Sequence, residues 1–383
     1  MKIVIAAWHL RDFNVGLGRY CRGLIEGIGR VDRENRYEIL MPDESHRFPE
    51  HQNFRYRLVR FPVFKRRFWE QAVPFMAGAH DLLHFPYDSC VAWKRAKFVT
   101  TVHDVKPLLF PALAQRRNVN SLIEEALVGD KWARIDHVVT DSQCSKRDIM
   151  AHLRVPESRL TVVYPGIDLE RFRPAGAAQV KAEVEGKMGS SARPISTLTS
   201  SLTFRPFILS VAGADPTKNV ETLVEAFGRL AQPVRDGHDL VLVGDFRRRP
   251  ELHERAAALG IEKQTRFPGV VDDDRLIGLY QQASLFVFPS RYEGFGLPVL
   301  EAMACGCPVI SSNASSLPEV AGDAALLIDP SDVEGLAKAM QRVLSDPALS
   351  GDLRSRGPIR ARQFTWDRTA REMVDVYRKV CEG

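Results

Sequence analysis

A chain of 383 residues, 45% hydrophobic and 26% charged, is long enough for roughly two to three domains and for a core that needs no disulfides. No apolar run approaches the roughly 18 residues of a membrane span, so a chain that does not cross a membrane is expected. The net charge of +5 is modest for this length and gives no argument for nucleic acid as a partner.

The opening Met1-Lys2-Ile3-Val4-Ile5-Ala6-Ala7 reads as a short strand without the features of a secretory signal, so a cytoplasmic protein is expected. Six scattered cysteines (Cys21, Cys90, Cys144, Cys305, Cys307, Cys381) suit reduced thiols better than a disulfide framework. The Cys305-Gly306-Cys307 pair lacks the second Cys/His pair that a structural zinc requires. After the first strand, Gly16-Leu17-Gly18-Arg19 leads into a helical pattern over Tyr20–Gly29, and its glycines let backbone amides approach a phosphate or sugar. Cys21 stands where a dinucleotide fingerprint wants its third glycine, which argues against a dehydrogenase. The stretch Arg55–Trp69 interleaves basic residues with aromatics. It reads either as a strand followed by a solvated loop or as a surface for anionic lipid.

Further apolar runs at Leu82–Phe85, Phe98–Val102, His137–Thr140 and Leu160–Val163 alternate with amphipathic segments, the pattern of βαβ units with a parallel sheet. The strand at Phe98 runs into His103-Asp104, a pair that either completes a local hydrogen-bond network or faces a ligand from a strand end. Residues 173–205 are poor in large apolar side chains and read as a linker. The alternation then resumes at Phe207–Val211, Leu240–Val243, Thr265–Phe267, Leu285–Phe288, Val309–Ser311 and Ala325–Ile328. The expected fold is α/β: two Rossmann-like, doubly wound parallel-sheet lobes facing across a deep cleft, with a C-terminal helix crossing back. The expected division is 1–172, a linker at 173–205, 206–365, and a terminal helix within 366–383 that packs on the first domain through Ala370, Met373, Val374 and Tyr377.

In such sheets ligands bind beyond the carboxyl ends of the strands. The loop after Val211 carries Gly213 and then Lys218, a point charge suited to phosphate. Asp272-Asp273-Asp274 either caps the helical run that follows or offers carboxylates to a metal; an acidic first turn is ordinary capping. Glu293 and Glu301 are separated by Gly294, Gly296 and Pro298, so one regular helix cannot carry both. A helix starting near Leu297-Pro298 and stopping at Gly306 leaves Glu293 in a loop and Glu301 one turn inside. The amides of Gly294-Phe295-Gly296-Leu297 then lie at the positive helix end, between two carboxylates suited to hydroxyls.

The stretch "EGFGLPVLEAMACGCPVISSNASSLPEVAGDAALLIDP" (Glu293–Pro330) resembles the signature of the family 4 retaining glycosyltransferases of GT-B fold. "GLGRY", "TVHDV", "VVTDSQCSKRDIMAHLRVPESRLTVVYPGID" (Val138–Asp168), "DPTKN" and "FTWDRTAREMVDVYRKV" extend the resemblance in order along the chain. It implies an acceptor-binding first domain and a nucleotide-sugar-binding second domain. It further implies that Glu301 holds ribose hydroxyls, Glu293 donor-sugar hydroxyls, and Lys218 the leaving diphosphate. His103 would reach the transferred sugar, with backbone near Phe267–Val270 at the base. Gly294, Phe295, Gly296, Leu297, Gly16 and Gly18 would line the donor, and Gly16, Leu17, Arg19 and Asp104 the acceptor side. Many family members carry an arginine where this chain has Gly213. The second cation then comes from elsewhere, Arg19 and Arg291 being candidates, unless the Gly213 amide serves instead.

The function so implied is transfer of a hexose from a nucleotide diphosphate sugar to a glycan or lipid-linked hydroxyl with retention, without metal or other cofactor. Motifs such as "TVHDVKPLLFP" and "SSLPE" resemble bacterial surface-polysaccharide enzymes that use mannose from GDP-mannose; a UDP-hexose is the alternative donor. A sugar-nucleotide epimerase, a phosphorylase and a non-catalytic sugar-nucleotide-binding subunit are the rival readings. The expected location is the cytoplasm, with the basic-aromatic stretch resting on the inner face of the membrane.

Overall fold

A computed structural model describes residues 1–12, 16–43, 48–60, 66–111, 131–176 and 205–383. The chain divides into two compact units, one of Met1–Gly166 with Phe364–Gly383 and one of Ile167–Gln363. Residues 167–172, expected in the first domain, therefore belong to the second. Arg171 explains this: its guanidinium bonds Asp273 and Asp274, each at 3.0 Å. Of the expected linker, residues 177–204 lie outside the described residues.

The first unit holds a seven-stranded sheet of β1 (Lys2–Ala6), β2 (Arg36–Met41), β3 (Phe54–Leu58), β4 (Leu82–Phe85), β5 (Lys97–Thr101), β6 (His137–Thr140) and β7 (Leu160–Val162). Its order is β3-β2-β1-β4-β5-β6-β7, with every pair parallel. β2 was not among the expected strands because Arg36 and Glu38 break its apolar run. Glu38 is buried in the sheet and is paired with Arg57 at 3.0 Å and Lys2 at 3.2 Å. Those cations offset the cost of burying its charge. The stretch from Arg55 thus enters β3, and Trp69 at its far end is buried, its indole N–H donating to Val59 O at 2.9 Å.

The second unit repeats the topology with β8 (Phe207–Val211), β9 (Asp239–Val243), β10 (Thr265–Gly269), β11 (Leu285–Phe288), β12 (Val309–Ser312) and β13 (Leu326–Ile328). The order β10-β9-β8-β11-β12-β13 is again parallel throughout. Both sheets are α/β and doubly wound. In each, successive connections run one way from the first strand and the other way from the fourth, so a switch point opens at β1/β4 and at β8/β11.

The C-terminal helix Trp366–Glu382 buries Ala370, Met373, Val374 and Tyr377 within the first unit. Tyr377 Oη lies 2.7 Å from His84 Nδ1 in the sheet core; burial lowers the His84 pKa to about 3, so this histidine is neutral. The helix Gly16–Val31 admits this close approach through Gly23, where an added Cβ would fall 2.0 Å from the Trp366 ring. Gly23→Ala is therefore expected to destabilise the first unit by about 1–3 kcal/mol through overpacking, although alanine is the better helix former by about 1 kcal/mol. A thermal midpoint equal to or above the wild type would show that the helices do not meet there. Among the described residues no helix is long and apolar enough to cross a membrane.

Candidate functional site

β8 and β11 are hydrogen-bonded neighbours, and the loops that leave their carboxyl ends are tied together. Asn219, in the left-handed conformation at φ 55°, is buried and donates to Pro289 O at 3.0 Å and Pro330 O at 2.7 Å. Asn219 is thereby a latch on the loops, a role its place in "DPTKN" did not reveal. The Arg291 amide and the Ser290 hydroxyl reach Thr217 O at 2.7 and 2.9 Å.

This latch brings Lys218 and Glu293 into contact: Nζ stands 2.7 Å from Oε1 and 2.9 Å from Oε2. Lys218 also lies 5.1 Å from the centroid of the Phe288 ring. Ser290 joins Lys218 at the carboxylate, while Ser315 and Ser316 fix the backbone of Glu293. Ser290 Oγ is 2.6 Å from Glu293 Oε1, the Glu293 amide donates to Ser315 Oγ at 2.9 Å, and Ser316 Oγ donates to Glu293 O at 2.9 Å. Ser315 adopts φ 52°, an uncommon conformation for a non-glycine residue. These serines went unseen in the sequence, where "SSNASSLPE" reads as an ordinary polar turn.

The helix after Glu293 runs Leu297–Ala304, with Pro298 in its first turn as expected. Gly296 precedes it at φ 116°, where a Cβ would also fall 2.6 Å from Leu317 Cδ2. The residues Gly294–Leu297 therefore enter the positive end of that helix. Glu301 sits inside it, buried, with Tyr280 donating to Oε2 at 3.0 Å. Gly213 lies in the same loop as Lys218, and a Cβ there would meet only Asp245 O at 3.8 Å, so the position has room for a side chain. Val270 follows β10 and is 76% exposed.

Asp272 caps the helix Asp273–Gln282 by accepting from the Arg275 amide at 2.8 Å. With Asp273 and Asp274 paired to Arg171, the acidic triplet has structural partners. No group of three or more His, Cys, Asp or Glu suited to a metal ion occurs among the described residues.

The remaining candidates belong to the first unit. Gly16, Leu17, Gly18 and Arg19 do not form a loop before the helix but are its first turn, since the helix Gly16–Val31 starts four residues earlier than expected. The amides of Gly16, Leu17 and Gly18 are at the positions where a helix N-terminus lacks intrahelical acceptors. His103 follows β5, with Nδ1 2.6 Å from Asp141 Oδ2 and Nε2 3.2 Å from Pro86 O. Burial opposes the charge on His103, but the Asp141 carboxylate prevails and its pKa is raised. Both ring nitrogens thus face acceptors, the arrangement of an imidazolium. Asp141, 38 residues away, carried no local signal of this pairing. Asp104 Oδ1 accepts from the Lys106 amide at 2.8 Å.

A second buried acid in this unit was also missed. Glu70 lies on the helix Arg66–Met76, with Arg66 Nε 3.1 Å from Oε1. Burial raises its pKa from 4.5 to about 7, with Arg66 opposing. The native state then binds more protons than the unfolded chain between those values, so stability falls as pH rises from about 4.5 to about 7. Glu70→Gln is expected to gain about 1–3 kcal/mol relative to wild type between pH 5 and pH 8. Parallel thermal midpoints for the two proteins across that range would contradict it.

Comparison with known proteins gives the family and the fold. The family model described as Glycosyltransferase Family 4 matches residues 15–171, and that described as Glycosyl transferases group 1 matches residues 201–360. O-antigen chain mannosyltransferase B of Escherichia coli is 30% identical over 286 residues, covering 73% of this chain and 70% of that protein. The chain belongs to glycosyltransferase family 4. Serotype-specific mannosyltransferase WbdA of E. coli is 30% identical over 319 residues, covering 81% of this chain but 37% of that protein, so this family 4 chain spans little more than a third of that relative. Sucrose-phosphate synthase from Thermosynechococcus elongatus shares the fold, with a TM-score of 0.71 at 23% identity and 99% coverage of both chains. The two-sheet architecture is thus that of the GT-B glycosyltransferases.

Proposed function

We propose that this chain transfers mannose from GDP-mannose, with retention, to a hydroxyl of a glycan or lipid-linked acceptor presented at the inner face of the cytoplasmic membrane. The observation that carries the reading is the Lys218–Glu293 pair at the β8/β11 switch point, just ahead of the helix that carries Glu301, in a chain whose similar proteins include two mannosyltransferases.

Breaking the bond from the anomeric carbon to the diphosphate leaves positive charge on the sugar ring and negative charge on the departing group. Lys218 leaves Glu293 for the diphosphate, joined by the amides entering the helix Leu297–Ala304. Glu293, released, accepts from hydroxyls of the sugar. Glu301 accepts from the ribose hydroxyls, with Tyr280 fixing its orientation. The acceptor oxygen forms the new bond on the face the diphosphate leaves, and its proton passes to the departing phosphate oxygen. His103, its ring fixed by Asp141, is assigned to a hydroxyl of the transferred sugar. No step calls on a metal or other cofactor.

A donor screen tests this by thermal shift and by turnover with GDP- and UDP-hexoses in the presence of chelator. GDP-mannose is expected to give the largest shift and chelator-insensitive turnover. Turnover with a UDP-hexose alone would replace the donor. Donor rearrangement without any acceptor would point to an epimerase.

A further inference from the structure

We propose that the outer face of the helix Arg66–Met76, together with the loop Trp93-Lys94-Arg95, is the surface that rests on an anionic lipid bilayer; the inference deepens the reading of a membrane-presented acceptor. Phe68 and Phe75 are seven residues apart and so lie on one side of the helix, 48% and 53% exposed. Trp93 is 57% exposed and its ring centroid lies 5.9 Å from that of Phe75. Arg95 stands over the Phe75 ring at 5.5 Å and is exposed; Lys94 beside it is paired with Asp136 at 2.6 Å.

The opposite side of the helix is committed to the protein: Trp69, Glu70 and Val73 are buried. The loop is held against the helix rather than draped over it. Gln71 donates to Cys90 O at 2.8 Å and accepts from the Ala92 amide at 2.7 Å, while Arg134 donates to Ala92 O. Aromatic rings in a fixed cluster, bordered by the exposed Arg95 guanidinium, fit the boundary between headgroups and acyl chains. Charge complementarity selects anionic lipid. Near such a surface each added cation strengthens binding about fivefold.

The surface differs from the one expected over Arg55–Trp69. Arg57 is spent on Glu38 and Trp69 is buried, and residues 61–65 lie outside the described residues. Of that stretch Phe68 belongs to the exposed face; Phe75, Trp93 and Arg95 come from beyond it.

Sedimentation with phosphatidylcholine vesicles, with and without phosphatidylglycerol, tests the surface. The wild type is expected to sediment with the anionic vesicles, less so at high salt, and not with the neutral ones. Trp93→Ala with Phe75→Ser, and separately Arg95→Glu, should each weaken sedimentation about tenfold at unchanged thermal midpoint. Absence of wild-type binding to the anionic vesicles would overturn the proposal, as would undiminished binding by both variants. So would a dimer, seen by light scattering, that the same variants dissociate, because the face would then meet a second copy. Turnover of GDP-mannose with a soluble mannoside acceptor is read in parallel. Vesicle binding without turnover sinks the transferase reading alone, and turnover without vesicle binding sinks the surface alone.

Discussion

Glu293→Gln is expected to lower mannosyl transfer by about 10²–10³-fold while bare GDP binds more tightly than to the wild type. Lys218 is paired, its Nζ within 2.9 Å of both Glu293 oxygens. A diphosphate must break that pair before it gains the cation. With a complete donor the loss is offset, because the carboxylate set free accepts from the sugar hydroxyls. With GDP alone the Glu293 carboxylate would be left beside Ser290 without a cation, a costly state for a largely buried charge. Glutamine removes the competitor, so GDP affinity should rise by about 3–10-fold as transfer collapses. Calorimetric titration with GDP beside turnover with GDP-mannose reads both effects. A loss of GDP affinity in this variant would mean that the pair does not exchange.

The opposite signature is expected at Glu301. Glu301→Gln should weaken GDP itself by about 10–100-fold, since a hydrogen bond to a charged group contributes about 1.5–3 kcal/mol. Tyr280 sharpens the comparison. Its hydroxyl donates to Glu301 Oε2 and would orient the carboxylate without touching ribose, so Tyr280→Phe should cost less, about tenfold or below. Equal GDP affinity in the wild type and Glu301→Gln would remove this residue from the nucleotide site.

Much of the fold was legible because parallel strands buried on both faces read as unbroken apolar runs. Leu82–Phe85, His137–Thr140 and Leu285–Phe288 were located to the residue. β2 was hidden because its charge is neutralised across the sheet, and a strand's neighbours are not written in its own sequence. The start of the first helix was misplaced because glycines at 16 and 18 read as loop, whereas a first helical turn tolerates them. The glutamate spacing around Gly296 and Pro298 was legible from backbone rules alone, and the helix Leu297–Ala304 starts where those rules place it. What stayed hidden is long-range: Asp141 behind His103, Ser315 and Ser316 behind Glu293, Tyr280 behind Glu301. Each partner lies 21 to 38 residues from the group it serves, and no local pattern marks it.

The most direct test is proton NMR of the anomeric signal in the product made from GDP-α-mannose and a mannoside acceptor, by the wild type and by Lys218→Ala. An α-linked mannoside is expected from the wild type, with its rate of formation reduced by at least about 10²-fold in the variant. A β-linked product, or equal rates from the two proteins, would contradict retention or the role of Lys218 respectively.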